Sequence, residues 1–246
     1  MNYNPFSIEG KTILITGASS GIGRSTAIEC SKLGATLIIT GRDEIRLKET
    51  FSQLTGNNHN LIFADLSDDS EIEKLVISMP ELDGIVHSAG FLKKLPFKFL
   101  TMDSLLETFQ SNFFGPALLT QKLHKKKKLK NECSVVFISS IAANVASVGN
   151  SSYMASKGAL HSLSRGMALE LSDKKIRVNC IEPALVKTNL TSSMSVEDLD
   201  KYEKRFPLGR FGKPEEIAFA SIYLLSDAAK WITGTSLRID GGITLS

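Results

Sequence analysis

Short apolar runs and helical stretches alternate along the whole chain, and no other feature limits the possible folds as tightly. Seven runs read as strands: Lys11–Thr16, Thr36–Thr40, Leu61–Ala64, Asp83–Ser88, Ser134–Ser139, Arg177–Ile181 and Ser236–Asp240. The segments between them read as helices: Arg24–Leu33, Asp43–Leu54, Asp68–Ser78, a long one over Asp103–Lys127, Ser152–Leu171 and Pro214–Leu225. Gly34 ends the first helix, and Pro214 stands near the first position of the last. Short apolar strands separated by helices belong to a parallel sheet covered on both faces. The expected class is α/β, a doubly wound parallel sheet. No linker, repeat or second composition regime interrupts it, so 1–246 reads as one domain.

Charge and cysteine usage exclude several alternatives. A net charge of +3, from 29 Lys and Arg against 26 Asp and Glu, is too balanced to argue for nucleic acid. Cys30, Cys133 and Cys180 are widely spaced and form no C-x-x-C pair, so neither a disulfide framework nor a zinc site is expected, and no other metal. The first ten residues lack the basic and apolar regions of a secretory signal, and no apolar run has the length of a membrane span. The expectation is a soluble cytoplasmic protein with no membrane or nucleic-acid partner. His124–Lys130 (HKKKKLK) reads as a solvated helix end whose cations complement the helix dipole. A docking patch for an acidic partner, together with Lys174, is the alternative.

The first strand runs into Thr16-Gly17-Ala18-Ser19-Ser20-Gly21-Ile22-Gly23, and a helix follows. Glycines are needed where a chain turns sharply and where a pyrophosphate comes close to its backbone. The helix start then offers unpaired N–H groups to the anion. The spacing is T-G-x-x-x-G-x-G, which resembles the short-chain dehydrogenase/reductase family, in particular its single-domain members similar to 3-oxoacyl-[acyl carrier protein] reductases. The resemblance implies a Rossmann-like fold with Gly17, Ser19, Ser20, Gly21, Ile22 and Gly23 against a dinucleotide. The second strand leads to Gly41 and Arg42, where NAD users of the family carry Asp at the position of Gly41. A guanidinium pairs well with a 2′-phosphate, so Arg42 favours NADP(H) over NAD(H). Asp43 is read as a helix N-cap. Asp65-Leu66 resembles the family's adenine-side motif. His87-Ser88-Ala89-Gly90 takes the place of Asn-Asn-Ala-Gly, leaving Ala89 and Gly90 for close backbone approach and His87 as a structural residue.

Tyr153-Met154-Ala155-Ser156-Lys157 is the chemical centre of the sequence. Positions i and i+4 of a helix share a face, so a phenol and an ammonium point into one site. A nearby ammonium favours the phenolate, which suits Tyr153 to give a proton to a carbonyl or take one from an alcohol. In the resembling family a serine thirteen residues earlier bonds the substrate oxygen. Ser140 has that spacing, with Ser139 the neighbouring alternative. Lys157 is further implied to hold the nicotinamide ribose. Asn112 lies four residues before Pro116, which has no N–H for the Asn112 carbonyl. The family places a proton-relay Asn there, its carbonyl holding a water beside the Lys. Glu182-Pro183-Ala184-Leu185-Val186-Lys187-Thr188 resembles the family's nicotinamide segment, with Pro183, Val186 and Thr188 toward the cofactor. Ala184 stands where glycine is usual, and would be strained if that position needs positive φ. His161, four residues past Lys157, should point away from Tyr153, into packing or a subunit contact. With Asp240-Gly241-Gly242, the resemblance runs from Glu9 to Gly242.

The function expected is NADP(H)-dependent interconversion of a ketone and a secondary alcohol, with a carrier-bound 3-oxoacyl thioester as one possible substrate. An NAD(H)-dependent alcohol or sugar dehydrogenase stays open, as does an inactive nucleotide sensor, against which the intact Ser140, Tyr153 and Lys157 argue. Residues 189–212 are polar and long for a connection, and read as a substrate lid with Leu190 and Met194 as apolar contacts. Apolar residues in excess on the two long helices, and Trp231, predict a homo-oligomer, a tetramer or a dimer.

Overall fold

The computed structural model describes residues 3–188 and 202–245. Seven strands, β1 (Thr12–Thr16), β2 (Thr36–Gly41), β3 (Asn60–Phe63), β4 (Leu82–His87), β5 (Leu129–Ile138), β6 (Arg177–Pro183) and β7 (Ser236–Ile239), form one parallel sheet in the order β3-β2-β1-β4-β5-β6-β7. Helices α1 (Gly21–Lys32), α2 (Glu44–Phe51), α3 (Asp69–Ser78), α4 (Met102–Phe109), α5 (Gly115–Lys125), α6 (Ser151–Glu170) and α7 (Pro214–Leu225) cover it. Strand side chains alternate between two cores, as the period of two demands. Leu14, Ile38, Val135, Phe137 and Val178 face one core with residues of α3, α5 and α6. Ile13, Ile15, Leu37, Ile39, Val136 and Ile181 face the other, with residues of α1, α2 and α7. The chain order reverses between β1 and β4, and ligands of such sheets bind beyond the carboxyl ends of the strands at that point.

The long helix expected over Asp103–Lys127 is divided. Between α4 and α5, Gln110–Phe114 form a π-helical turn in which Gly115 N–H bonds the Gln110 carbonyl, a five-residue step. Pro116 supplies the cause, because it offers no N–H to continue the four-residue ladder. Glycine is required at 115, where a Cβ would stand 2.5 Å from the Leu66 carbonyl oxygen. The lysine run also differs from a plain helix end. α5 stops at Lys125, Lys127 takes positive φ, and β5 begins at Leu129. The run thus lies at the amino end of a ten-residue strand whose far end leads to Ser140. At about 3.3 Å per residue that is roughly 30 Å away. Its position does not suit it to guide a carrier to the carboxyl ends of the strands.

His87, at the end of β4, is buried and stacks on Phe137 at 4.9 Å between ring centroids. Thr120 Oγ1 donates to the Pro116 carbonyl, so it accepts from His87 Nε2–H at 2.8 Å. Nδ1 has no partner, and protonating it would bury an unpaired donor. Burial accordingly pushes the pKa down to about 3. The neutral ring is favoured in the fold, so its contribution is complete above the unfolded value near 6.5 and is lost as pH falls toward 3. Stability should fall by about 1.4 kcal/mol per pH unit over that window from this group. Denaturant titrations at pH 7, 6 and 5 should show a shallower loss for His87→Asn than for the parent; parallel slopes would contradict this assignment.

Candidate active site

The glycine loop joins β1 to α1, and its glycines are required by backbone crowding. Gly17 has φ of 66°, and a Cβ there would lie 2.5 Å from Ala89 N, so the loop rests directly on the end of β4. A Cβ on Gly23 would overlap the Gly17 carbonyl oxygen. Gly21 also has positive φ and faces the Thr188 methyl. Ser20, the α1 N-cap, makes no side-chain cap bond, which leaves the first-turn N–H groups to an anion. Two residues not singled out from sequence hold this loop. Arg24 donates to the Ser19 carbonyl at 2.8 Å and to Thr50 Oγ1 at 3.0 Å, and Thr50 Oγ1 donates to the Ala18 carbonyl at 2.9 Å. Neither carries a motif; they are recognisable only once α2 lies beside the loop.

At the ends of β2 and β3, Arg42 Nη1 lies 3.9 Å from Asp65 Oδ2. The pair is exposed and worth about 0–1 kcal/mol, too little to hold Arg42 against a competing phosphate. Asp65 Oδ1 accepts from Ser67 N and Oγ. Asp43 caps α2, accepting from Arg46 N at 2.9 Å. Gly41 is buried, and a Cβ there would stand 3.3 Å from Ser19 Oγ. Leu66 is buried beside this rim.

The candidate catalytic residues converge beyond β4 and β5. Tyr153 and Lys157 share a face of α6, with Lys157 Nζ 5.8 Å from the centre of the Tyr153 ring. Ser140 Oγ accepts from Ala142 N at 3.1 Å, and its hydroxyl lies near enough to the Tyr153 phenol to favour the phenolate. Ser139 is buried and donates to the Lys157 carbonyl, so it does not share that position with Ser140. Lys157 is buried, with Nζ on the Ile138 carbonyl at 2.8 Å. A Cβ on Gly90 would lie 3.4 Å from Lys157 Nζ and 3.6 Å from Asn112 Oδ1, which leaves a gap lined by all three. The Asn112 side chain clamps the residue after Gly90: Oδ1 accepts from Phe91 N at 2.7 Å, and Nδ2 donates to Phe91 O and to Ser156 Oγ.

One electrostatic expectation is corrected. Burial pushes Tyr153 upward, and the opposing influence is the nearby Ser140 hydroxyl rather than the Lys157 ammonium. Burial pushes Lys157 down to about 8, so it keeps its charge at neutral pH. Tyr153 is therefore protonated at neutral pH, as a proton donor must be.

Beyond β6, Pro183 and Val186 are buried, and Ala184 does not take positive φ, so the replacement of glycine there is unstrained. Lys187 N donates to the Gly212 carbonyl and Gly212 N to that of Leu185, fixing the strand exit beside Thr188. Of the expected lid, residues 189–201, with Leu190 and Met194, lie outside the described residues. In the remaining part, 202–212, two aromatic anchors are buried and most other residues are exposed. Phe206 and Phe211 are buried edge to face at 5.5 Å, Tyr202 stacks beside both, and Leu208 N bonds the Gly241 carbonyl.

The glycine cradle, the uncapped α1 start and a buried lysine beside a tyrosine suit a dinucleotide with its reactive end at Tyr153. A family model described as enoyl-(acyl carrier protein) reductase matches residues 17–244. The chain belongs to the short-chain dehydrogenase/reductase family. It is 30% identical over 243 residues to the 3-oxoacyl-[acyl-carrier-protein] reductase FabG of Aquifex aeolicus, covering 96% of this chain and 98% of that protein. It is 34% identical over 243 residues to L-xylulose reductase of Caenorhabditis elegans, covering 95% and 96%. A Beutenbergia cavernae structure described as an NAD(P)-dependent gluconate 5-dehydrogenase with bound NADP superposes with a TM-score of 0.89 at 27% identity, covering 99% of this chain and all of that one. The family is one of oxidoreductases. Among the described residues no helix is long and apolar enough to cross a membrane, and no cluster of His, Cys, Asp and Glu could hold a metal.

Proposed function

We propose that this chain is an NADP(H)-dependent carbonyl reductase that acts on 3-oxoacyl thioesters, and that Ser140, Tyr153 and Lys157 carry the reaction. The convergence of Ser140, Tyr153 and a buried Lys157, with Nζ 5.8 Å from the centre of the Tyr153 ring, is the observation that carries this reading. The cofactor supplies the hydride. Tyr153 gives its phenolic proton to the carbonyl oxygen, and Ser140 orients that oxygen. Lys157 keeps positive charge beside both and holds the cofactor ribose. Asn112 fixes the backbone at Phe91 and, through the register slip at Pro116, frees its own carbonyl to hold a water next to Lys157. Gly17, Ser19, Ser20, Gly21, Ile22 and Gly23 receive the pyrophosphate, Asp65 and Leu66 the adenine, Ala89 and Gly90 the ribose side, and Pro183, Val186 and Thr188 the nicotinamide. The 30% identity to FabG supports the thioester substrate. A panel of acetoacetyl-coenzyme A, acetoacetyl-acyl carrier protein and L-xylulose, read by NADPH absorbance, tests it. Consumption of NADPH with L-xylulose alone would favour the second reading, a sugar reductase, which the 34% identity to L-xylulose reductase supports. Binding of NADPH with no turnover on any carbonyl would mark a nucleotide sensor.

Arg42 is assigned the 2′-phosphate, with Gly41 leaving no carboxylate to oppose it. A lost charge-assisted contact costs about 1.5–3 kcal/mol. Arg42→Ala should therefore bind NADPH roughly 10- to 100-fold more weakly by calorimetric titration, with NADH binding little changed. An unchanged ratio of the two affinities would refute the assignment.

Homo-oligomerisation belongs to the same reading. Met102, Leu106 and Leu118 are exposed along α4 and α5, Leu169 on α6, and Trp231 is fully exposed. Side chains of this size at a surface mark association sites when they cluster. Light scattering at micromolar concentration should give a dimer or tetramer mass, and a monomer mass would contradict it.

A further inference from the structure

Beside Lys157 lies a chain of buried hydrogen bonds that the proposed reaction does not itself use. Ser139, the residue after β5, is 3% exposed, and its hydroxyl donates to the Lys157 carbonyl at 3.1 Å. With that proton committed, Ser139 Oγ accepts from His161 Nε2 at 2.8 Å, which places the imidazole proton on Nε2. Glu182 of β6, also 3% exposed, brings Oε1 to 3.4 Å from the same nitrogen. Its Oε2 accepts from Asn144 Nδ2 at 3.1 Å and from Arg238 Nε at 3.5 Å. This is not a nucleophile triad. The serine proton points to a backbone carbonyl, and the carboxylate meets the ring nitrogen that already serves the serine.

A buried carboxylate is costly unless it is paired, and this one gathers donors from α6, β7 and the turn after Ser140. The effect falls on Lys157. Ser139 holds its carbonyl, and Ile138 holds its ammonium. Both anchors are neighbours at the strand end that presents Ser140. We propose that His161 and Glu182 are positioning residues for the carbonyl reduction: through Ser139 they hold Lys157 in register with Ser140 and Tyr153. The inference rests on the catalytic reading above. The charged groups around His161 are Glu182 from β6, Arg238 of β7 behind it, and Lys157 and Arg165 on its own helix. Sequence spacing alone had directed His161 to packing or a subunit contact, because the partner carboxylate is 21 positions away on another element.

Two measurements test this. Histidine side-chain nitrogen NMR of the free protein needs no turnover. It should show His161 with its proton on Nε2, and Glu182→Gln should move the His161 titration to lower pH, since the carboxylate favours the imidazolium. A proton on Nδ1, or an unmoved titration, would overturn the pairing. In the second, acetoacetyl-coenzyme A and NADPH are the probes. His161→Leu should lower kcat by about tenfold or more, the scale of a misplaced catalytic group, with NADPH affinity falling less than in Lys157→Ala. His161→Gln keeps an N–H donor and should recover most of kcat. Ser139→Ala should reproduce the loss even if the histidine variants fold poorly. Parent-like kcat in His161→Leu or Ser139→Ala, or no recovery in His161→Gln, would overturn the positioning role. A parent that reduces no carbonyl would sink the catalytic reading instead, and the NMR titration would still decide the pairing.

Discussion

Tyr153→Phe should fold normally, bind NADPH as the parent does, and reduce its carbonyl substrate at least about 10²-fold more slowly, the scale of lost general acid catalysis. The substitution keeps the ring, so its packing on α6 beside Lys157 is retained. Only the hydroxyl goes, and with it the proposed proton donor. Ser140 Oγ still accepts from Ala142 N, so its position survives. Because burial holds Tyr153 above the usual phenol value, the parent should reduce at a steady rate through neutral pH. Alcohol oxidation, which needs the phenolate, should instead climb with pH. Stopped-flow reduction at saturating NADPH with a matched binding titration checks both statements. Near-parental turnover in Tyr153→Phe would refute the proton-transfer role.

Lys157→Ala should damage more than one quantity at once. Its ammonium is buried against the Ile138 carbonyl, so truncation leaves that acceptor without its partner and opens space beside Gly90 and Asn112. An orphaned buried acceptor costs about 1–3 kcal/mol, so the melting temperature should drop. Turnover should fall about 10²-fold or more, because the charge beside the proton donor is gone. NADPH affinity should fall by roughly 10-fold or more, the value of one hydrogen bond to a charged group. Burial brings Lys157 itself down to about 8, so in the parent this charge is present at neutral pH and fades above that value. Loss of turnover with NADPH affinity intact would confine Lys157 to the chemical step and remove it from cofactor binding.

Local patterns carried the parts that depend on residues close together in sequence. The seven strands, their parallel arrangement, the glycine loop and the Asp43 cap follow from period, turn chemistry and helix-end rules, each acting over a few residues. The Tyr153–Lys157 face follows from a single turn of helix. Pro116 announced a disturbance at Asn112, since a missing N–H is a property of one residue. Whether the helix would kink or slip register was not written there; the folded chain shows a slip, with Gly115 close against the Leu66 carbonyl, 49 positions earlier.

What only the tertiary structure decided involves partners far apart in the chain. Arg24 and Thr50 brace the phosphate loop, yet neither belongs to a motif, because their partners meet them only after α2 docks. Residues 202–212 are polar and irregular in sequence, but Phe206 and Phe211 find each other and Leu208 bonds the Gly241 turn, contacts that no local pattern announces. The lysine run invites a docking role until β5 carries it to the opposite end of the sheet from Ser140. The direction of the Tyr153 shift was likewise invisible, since it follows from burial, which the whole fold sets. Sequence by itself determined the class of fold and singled out the groups proposed to react, because both rest on short-range periodicity. Tertiary structure decided which groups hold them in place and how strongly each is charged, because those depend on distance and desolvation between elements that the chain brings together only when folded.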